Sequence, residues 1–245
     1  MSEPLIRLSK IMSERGICSR READLYIESG DVLVNGQVVD TLGARISPDA
    51  EIELRAYAKK KQGKKATIIL NKPLGYVSTQ PESGYSPAID LVTAENQYQV
   101  EKGPKFDPYH RKKLAVAGRL DIDSKGLLIL TQDGVIVKKI IGENAEMEKE
   151  YLVRVEGVIN PEKIKQLRFG LSLDEKELKS ASVELLEEGL LKFILTEGKK
   201  RQIRRMCELV DLKVVGLKRV RIGPIKLGQL PEGMWCYIDK ELFDN

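Results

Sequence analysis

Two aspartates in the string AGRLDIDSKGLLILTQDG, residues 117–134, have side chains suited to chemistry. The spacing of Asp121 and Asp123 places them on one strand face or one loop edge, and Arg119 could keep one of them ionised by pairing with it. A calcium loop needs an oxygen ligand at its fifth position, where this chain has Lys125. The calcium interpretation is therefore rejected, while two acids that only cap turns remain an equally good alternative.

Other common chemistries lack their residues. The strings G-x-G-x-x-G and G-x-x-x-x-G-K-[ST] do not occur, so a phosphate-binding loop has no support. His110 is the single histidine, which removes the usual zinc sites and most Ser-His-Asp triads. Cys18, Cys207 and Cys236 are too few and too scattered for a disulfide framework, so we interpret them as reduced thiols. No metal and no cofactor is expected.

Positive charge is concentrated in three places, although the net charge is only +4. Residues 199–226 contain ten basic and two acidic residues, so the rest of the chain is net negative. The other clusters lie in residues 7–21 and in the run KKKQGKK at 59–65. Separated basic clusters in an otherwise acidic chain indicate a polyanion that is bound at several points.

The first 58 residues are predicted to form a small domain of two helices followed by short strands. The order Ser19-x-x-Glu22 is a capping box that opens the second helix. The pair Asn35-Gly36 between apolar residues predicts a hairpin with a type I′ turn. The lysine-rich run at 59–65 is predicted to be a linker.

Residues 66–245 are predicted to form a second, larger domain. Helices are expected at 135–141, 161–168 and near 201–210, and strands at 67–70, 114–117, 127–130, 151–155, 183–186, 192–196, 214–221 and 234–238. Because strands outnumber helices and often follow one another, we expect an α+β fold with a large mixed, mostly antiparallel sheet. The polar stretch 81–113, with four prolines, is expected to be a functional or mobile loop.

The string IRLSKIMSERGICSRREADLYIESGDVLVNGQVV resembles the S4 RNA-binding domain over most of residues 5–54. This resemblance implies that the helix pair lies against structured RNA. The residues then expected near phosphates are Arg7, Lys10, Arg15, Arg20 and Arg21.

The rest of the chain resembles pseudouridine synthases of the ribosomal RNA branch, which includes RsuA, RluB, RluE and RluF. The matching strings are NKPLGYVST at 71–79, GRLDIDSKGLLILTQDG at 118–134, EKEYLVRVEG at 148–157, EGKKRQIRRMCELV at 197–210 and LKRVRIGPIKLGQLPEGMW at 217–235. Within the branch, RQIRRMCE and GICSRREAD are most similar to the RluF group, which acts on 23S ribosomal RNA.

The resemblance implies a role for individual residues. Asp121 becomes the catalytic aspartate, Tyr151 the tyrosine that stacks on the flipped base, and Arg204 the arginine that pairs with the aspartate. Arg119 would occupy the space that the flipped nucleotide leaves in the RNA helix. Further RNA contacts are expected from Leu120, Ile122, Lys200, Arg201, Gln202, Ile203 and Arg205.

The expected activity is isomerisation of a specific uridine in ribosomal RNA, most closely 23S, to pseudouridine. Attack of the aspartate on the sugar, attack on the base, and a glycal route all stay open. Alternative targets are 16S ribosomal RNA and transfer RNA. Two other hypotheses are a non-catalytic assembly factor with an S4 domain, and a metal-dependent nuclease that would need further carboxylates. We expect a cytoplasmic monomer that binds ribosomal RNA or an assembly intermediate and no membrane.

Overall fold

The computed structural model describes residues 4–79, 84–98, 103–142 and 145–243. Part of the predicted 81–113 loop therefore lies outside the described residues. The described remainder of that loop contains two short helical turns, a 3₁₀ turn (Ala88–Leu91) and α4 (Pro108–Arg111).

The N-terminal part consists of short elements around one apolar core. In chain order they are β1 (Ile6–Arg7), α1 (Leu8–Glu14), α2 (Arg20–Glu28), β2 (Val32–Val34), β3 (Gln37–Val38), β4 (Arg45–Ile46), β5 (Ile52–Leu54) and α3 (Ala56–Gly63). Strands β3, β2 and β5 form a three-stranded sheet, and β1 pairs with β4. The core beneath the two helices includes Leu8, Met12 and Ile27.

The local predictions for this part are confirmed. The Ser19 side chain accepts a hydrogen bond from the Glu22 N–H, and the Glu22 carboxylate accepts one from the Ser19 N–H, which is the reciprocal capping box. Asn35 and Gly36 both have positive φ, at 49° and 78°, as a type I′ turn requires. Both features depend on residues that are close together in the chain, so local sequence determines them.

The lysine-rich run is mostly helical rather than an extended tether. Helix α3 covers most of it, and Ala58 on that helix packs into the core of the N-terminal part. Lys65 then forms an ion pair with Glu22, with Nζ 2.5 Å from Oε1, and lies 3.6 Å from Asp133 beyond the linker. Lys138 donates to the Ser13 carbonyl at 2.9 Å. The N-terminal part is therefore docked on the rest of the chain. The division into domains at 58 and 65 stays a prediction.

The C-terminal part is built on a nine-stranded sheet. Its elements are β6 (Thr67–Lys72), β7 (Ala115–Val116), β8 (Lys125–Thr131), α5 (Gly134–Ile141), β9 (Lys149–Glu156), α6 (Pro161–Arg168), β10 (Ser172–Leu173), β11 (Lys176–Glu177), β12 (Ser182–Glu187), β13 (Leu190–Leu195), α7 (Gln202–Glu208), β14 (Lys213–Ile222), β15 (Ile225–Lys226) and β16 (Trp235–Tyr237), followed by a 3₁₀ turn (Lys240–Phe243). Every strand and helix predicted for this part is present.

The sheet is mixed and mostly antiparallel, as predicted. Its order is β12-β13-β9-β14-β8-β6-β16, with β7 beside β8 and β15 beside β14. Only β8 and β14 pair in parallel among the described strands. Gly126 makes this pairing possible, because a Cβ at that position would lie 2.3 Å from the Arg219 carbonyl oxygen. Packed cores cover both faces of the sheet.

Among the described residues, no helix combines the length and the apolar character needed to cross a membrane.

Candidate active site

Asp121 and Asp123 lie in a loop, residues 117–124, between β7 and β8. Ser78 holds the middle of this loop, because its Oγ accepts a hydrogen bond from the Leu120 N–H at 2.9 Å and donates one to the Leu120 carbonyl at 2.6 Å. Ser78 belongs to the string NKPLGYVST, which follows strand β6. Two segments that are distant in sequence therefore fix the backbone that carries the aspartates.

A buried arginine holds the same loop from the other side. Arg219 on β14 is 2% exposed, and its guanidinium donates to the carbonyls of Leu127 and Gly118, each at 2.8 Å. It also reaches the Arg119 carbonyl at 3.4 Å. Because a guanidinium presents several N–H groups in a rigid plane, one side chain can tie the loop to the central strand. The sequence placed Arg219 only in a basic cluster, since its partners are remote in the chain.

The loop borders a cleft of about 480 Å³. Asp121 lines this cleft, and its side chain is 42% exposed. Two neighbouring strands bring side chains to the cleft, because Arg219 on β14 pairs with Tyr151 on β9 and both residues line it. Residues from several separate segments thus line one cavity: Arg119, Lys149, Tyr151, Lys200, Arg201 and Arg204.

The arginines pair with the aspartates differently from the prediction. Arg204 was predicted to pair with Asp121, but its Nη2 donates to the Asp123 carbonyl at 2.6 Å. Its Nε lies 3.3 Å from Oδ2 of Asp123 without the geometry of a hydrogen bond. Arg201 contacts both carboxylates, with Nη1 3.0 Å from Oδ2 of Asp123 and 4.0 Å from Oδ2 of Asp121. Arg201, rather than Arg204 or Arg119, is therefore the arginine nearest Asp121.

The backbone conformation of Arg201 explains why Arg201, and not Arg204, is the arginine nearest Asp121. Arg201 has a left-handed conformation, with φ 51°, immediately before helix α7 begins. Such a conformation is uncommon for a residue with a side chain and persists where surrounding contacts compensate for it. Helical spacing alone would place Arg201 and Arg204 on one face, whereas the turn at Arg201 sends its side chain to Asp123.

Two buried lysines add positive charge beneath the loop. Lys72 is fully buried and donates to the carbonyls of Pro73 and Tyr76, each at 2.8 Å. Burial lowers the pKa of Lys72 from 10.5 to about 8, although the negative charges of Asp123 and Asp121 oppose the shift. Burial also lowers the pKa of Lys149, and the positive charge of Arg219 adds to the effect. Both lysines favour anionic groups at the cleft.

The sequence profile of the RNA pseudouridylate synthase family matches residues 66–209, and that of the S4 domain matches residues 6–52. The dual-specificity RNA pseudouridine synthase RluF of Escherichia coli (strain K12) is 36% identical to this chain. That match covers 98% of this chain and 78% of RluF. The chain belongs to the RNA pseudouridylate synthase family.

Other members of the family are similar over most of their length. An RNA pseudouridine synthase of Aquifex aeolicus (strain VF5) is 35% identical over 94% of this chain and 89% of its own. The ribosomal large subunit pseudouridine synthase B of Bacillus subtilis (strain 168) is 30% identical over 93% and 89%. A crystal structure of a pseudouridylate synthase superposes with a TM-score of 0.66 and 27% identity, covering 98% of both chains. The predicted fold, with an S4 domain before an RNA pseudouridine synthase domain, is confirmed.

The residues of the synthase part that were predicted to contact RNA differ in their exposure. Arg119 and Lys200 are exposed at the cleft. By contrast, three of the predicted residues that line the cleft are buried: Leu120, Gln202 and Ile203. Arg205 points elsewhere, because it forms a two-pronged ion pair with Asp174. Ile122 contributes its carbonyl to the Gly75 N–H.

The basic residues of the S4 domain that were predicted to lie near phosphates also differ in whether they already have partners within the protein. Arg15 donates to the carbonyls of Ala50 and Pro48, so it ties helix α1 to the loop before β5. Arg7 and Lys10 are in loose, half-exposed ion pairs with acids of the same helix pair. Arg20 and Arg21 are exposed and have no ion pair among the residues that the structure describes.

Across the described ranges, no group of three or more His, Cys, Asp and Glu side chains is arranged to hold a metal ion.

Proposed function

We propose that this chain converts a uridine of ribosomal RNA to pseudouridine, with Asp121 as the catalytic carboxylate. The observation that carries this proposal is the cleft, which joins Asp121 to Tyr151 and the two arginines before and within α7. A carboxylate is a suitable nucleophile for a reaction that must break and remake a bond to the same sugar carbon. Family membership supplies the reaction class.

The reaction moves the bond at ribose C1′ from uracil N1 to uracil C5. The C1′–N1 bond breaks, the base turns within the cleft, the C1′–C5 bond forms, and the proton on C5 leaves while N1 ends protonated. No atom is lost or gained overall. Asp121 would act at C1′ or on the base during this exchange, and the guanidinium of Arg201, with Nη1 4.0 Å from Oδ2, would orient its carboxylate.

The remaining side chains of the cleft would receive and hold the flipped nucleotide. Tyr151 lies on β9, where its ring is partly buried against the core, so it can offer one face to a base. Arg119 is exposed on the loop beside Asp121 and would fill the gap in the RNA helix. Arg204 would act through Asp123, to which it is joined, by fixing the turn that follows Asp121.

The proposed target is the large ribosomal subunit RNA. Support comes from the similarity to RluF and to the large subunit synthase B, because this chain covers most of each protein. Mapping pseudouridine in 23S RNA, 16S RNA and transfer RNA, from cells with and without this protein, tests the assignment. Loss of a site in 16S or transfer RNA alone would replace the 23S proposal.

Replacement of Asp121 by Asn tests the chemistry. The amide has nearly the same shape but no anionic oxygen, so Asp121→Asn should abolish pseudouridine formation while RNA binding is kept. The measurement is carbodiimide primer extension on the RNA product, together with an RNA-binding isotherm.

Asp123→Asn is the matched control for that experiment. Asp123 lies in the same loop but is occupied by ion pairs with Arg201 and Arg204, so this variant should retain a reduced activity. Wild-type turnover by Asp121→Asn would exclude Asp121 as the catalytic group. If Asp123→Asn alone lost all activity, the catalytic role would pass to Asp123.

A further inference from the structure

A second, wider cleft lies between the S4 domain and the synthase domain. Its volume is about 1180 Å³. Helices α2 and α3 form one wall, while the segment around Tyr109, strand β7 and the beginning of α5 form the other. The contacts of Lys65 with Glu22 and Asp133 hold the two walls together at its base.

Two tyrosines line this cleft with their rings largely in solvent. Tyr57 on α3 is 73% exposed and Tyr109 on α4 is 61% exposed. Neither ring stacks on another ring, and neither hydroxyl is hydrogen-bonded, among the residues that the structure describes. Exposed aromatic faces in a groove are the usual platforms for unpaired bases, because every base can stack on them.

The charge of the cleft suits a polyanion. Six basic and three acidic residues line it, and one of the acids, Glu22, is already paired with Lys65. The other five cations have no ion-pair partner within the described ranges: Arg20, Arg21, Lys61, Lys64 and Lys113. A groove with free cations and open aromatic rings has the two features with which proteins track a single strand of nucleic acid.

The second cleft is also close to the candidate active site. Helix α5 connects them, since Gly134 and Val137 at its start line the second cleft while Ile140 and Ile141 at its end line the first. Eight residues of α-helix extend about 12 Å. An RNA strand that leaves the active site along α5 would therefore reach the second cleft after a few nucleotides.

We propose that this second cleft binds the unpaired RNA strand that flanks the target uridine. Bases of that strand stack on Tyr57 and Tyr109, and its phosphates lie against the five free cations. The inference rests on the proposed function, and it adds a site formed jointly by both domains. It gives a role to the partly buried ion pairs of Lys65 with Glu22 and Asp133, which hold the S4 domain against the synthase domain.

The test is an RNA-binding titration of the full-length protein with two probes. One probe is an RNA hairpin, and the other is the same hairpin with an unpaired oligoadenylate extension. The wild-type protein should bind the extended hairpin more tightly. Tyr57→Ala and Tyr109→Ala should each weaken binding of the extended hairpin about fivefold or more, the effect of removing one stacked ring, and leave the plain hairpin unchanged. Tyr57→Phe should keep the preference, because the ring remains.

Phe169→Ala is the matched control, since Phe169 is 70% exposed and does not line the cleft. Its binding of both probes should equal that of the wild type. Equal binding of both probes by the wild-type protein, or an unchanged preference in both tyrosine-to-alanine variants, would overturn the inference. Because the readout is binding alone, the inference can fail while pseudouridine formation continues. Conversely, absence of pseudouridine formation would refute the proposed function without altering this result.

Discussion

Exposed cations of the S4 helix pair and buried cations of the synthase domain differ in their partners. The exposed cations of the S4 helix pair, Arg20 and Arg21, have no ion-pair partner in the part of the chain that the structure describes. Among the described residues of the synthase domain four cations are buried, and we call them the buried cations: Lys72, Lys149, Arg204 and Arg219. Three of these donate to backbone carbonyls at 3.1 Å or less.

The exposed cations can form a binding surface, whereas the buried cations have a structural role. An exposed cation stays hydrated, so it has little desolvation cost. It attracts phosphates over a distance that becomes shorter as the salt concentration rises. A buried cation carries a large desolvation cost, so it persists only where hydrogen bonds or charges compensate. Two of the buried cations, Arg204 and Arg219, therefore fix the loop that carries the aspartates, whereas the exposed cations are available to the RNA.

Replacement of Arg219 should have the largest effect on stability. Arg219→Gln leaves the carbonyls of Gly118 and Leu127 without their donor, and each unsatisfied carbonyl costs about 1–3 kcal/mol. We expect the free energy of unfolding, measured by urea titration, to fall by about 3 kcal/mol, with a loss of activity. Arg219→Lys should recover only part of both losses, because an ammonium lacks the planar fork.

Lys213→Gln is the control on the same strand. Lys213 forms an exposed ion pair with Glu156, which should contribute less than about 1 kcal/mol. If Arg219→Gln and Lys213→Gln were equally stable, burial of a cation would not determine its contribution to the free energy of unfolding.

Lys72 gives a pH-dependent test of the same idea. Its pKa is about 8 in the folded protein and 10.5 when unperturbed, so between these pH values the unfolded chain binds more protons. The stability of the wild type relative to Lys72→Met should therefore rise with pH across this interval, by up to about 3 kcal/mol. Below pH 8 the difference between the two proteins should be constant. Urea unfolding at several pH values measures the difference in the free energy of unfolding between the two proteins. A difference that does not change with pH would contradict the prediction.

The exposed cations should affect binding and leave stability unchanged. In the double variant Arg20→Gln with Arg21→Gln, the slope of log affinity against log salt should decrease by roughly one unit for each phosphate that the protein no longer neutralises. The unfolding free energy should change by less than about 0.5 kcal/mol. A salt titration of hairpin binding measures the slope. Arg45→Gln, an exposed arginine on β4, is the control, and it should keep the wild-type slope.

Features with local partners could be predicted from the sequence. The capping box of Ser19 and Glu22 and the turn at Asn35-Gly36 depend on residues that are close together in the chain. Eight strands of the synthase domain were also predicted, because apolar runs bounded by turn residues mark buried strands, whereas the two-residue strands β10, β11 and β15 were not. The resemblance of five ordered strings predicted the family, and the match to the family profile confirms it. The catalytic role of Asp121 remains a prediction.

Helix α3 shows where local pattern fails. The run KKKQGKK at 59–65 is rich in lysine and has no apolar residue, so it was interpreted as a linker. Burial of Ala58 in the S4 core and the hydrogen bond from Gln62 to the Ile17 carbonyl stabilise the helix instead. Both partners are far away in the chain, and tertiary contacts override a weak local preference.

The sequence determined which residues belong to the candidate site, and the tertiary structure determined which of them contact one another. Asp121, Tyr151 and Arg204 were singled out from their strings, but the pairing of Arg201 with the aspartates depends on one left-handed residue before α7. The role of Arg219 depends on strand β14 lying parallel to β8. Residue types and spacing fix which groups can react, because those follow from covalent structure. Which cation meets which carboxylate depends on long-range packing, and that is settled only when the sheet forms.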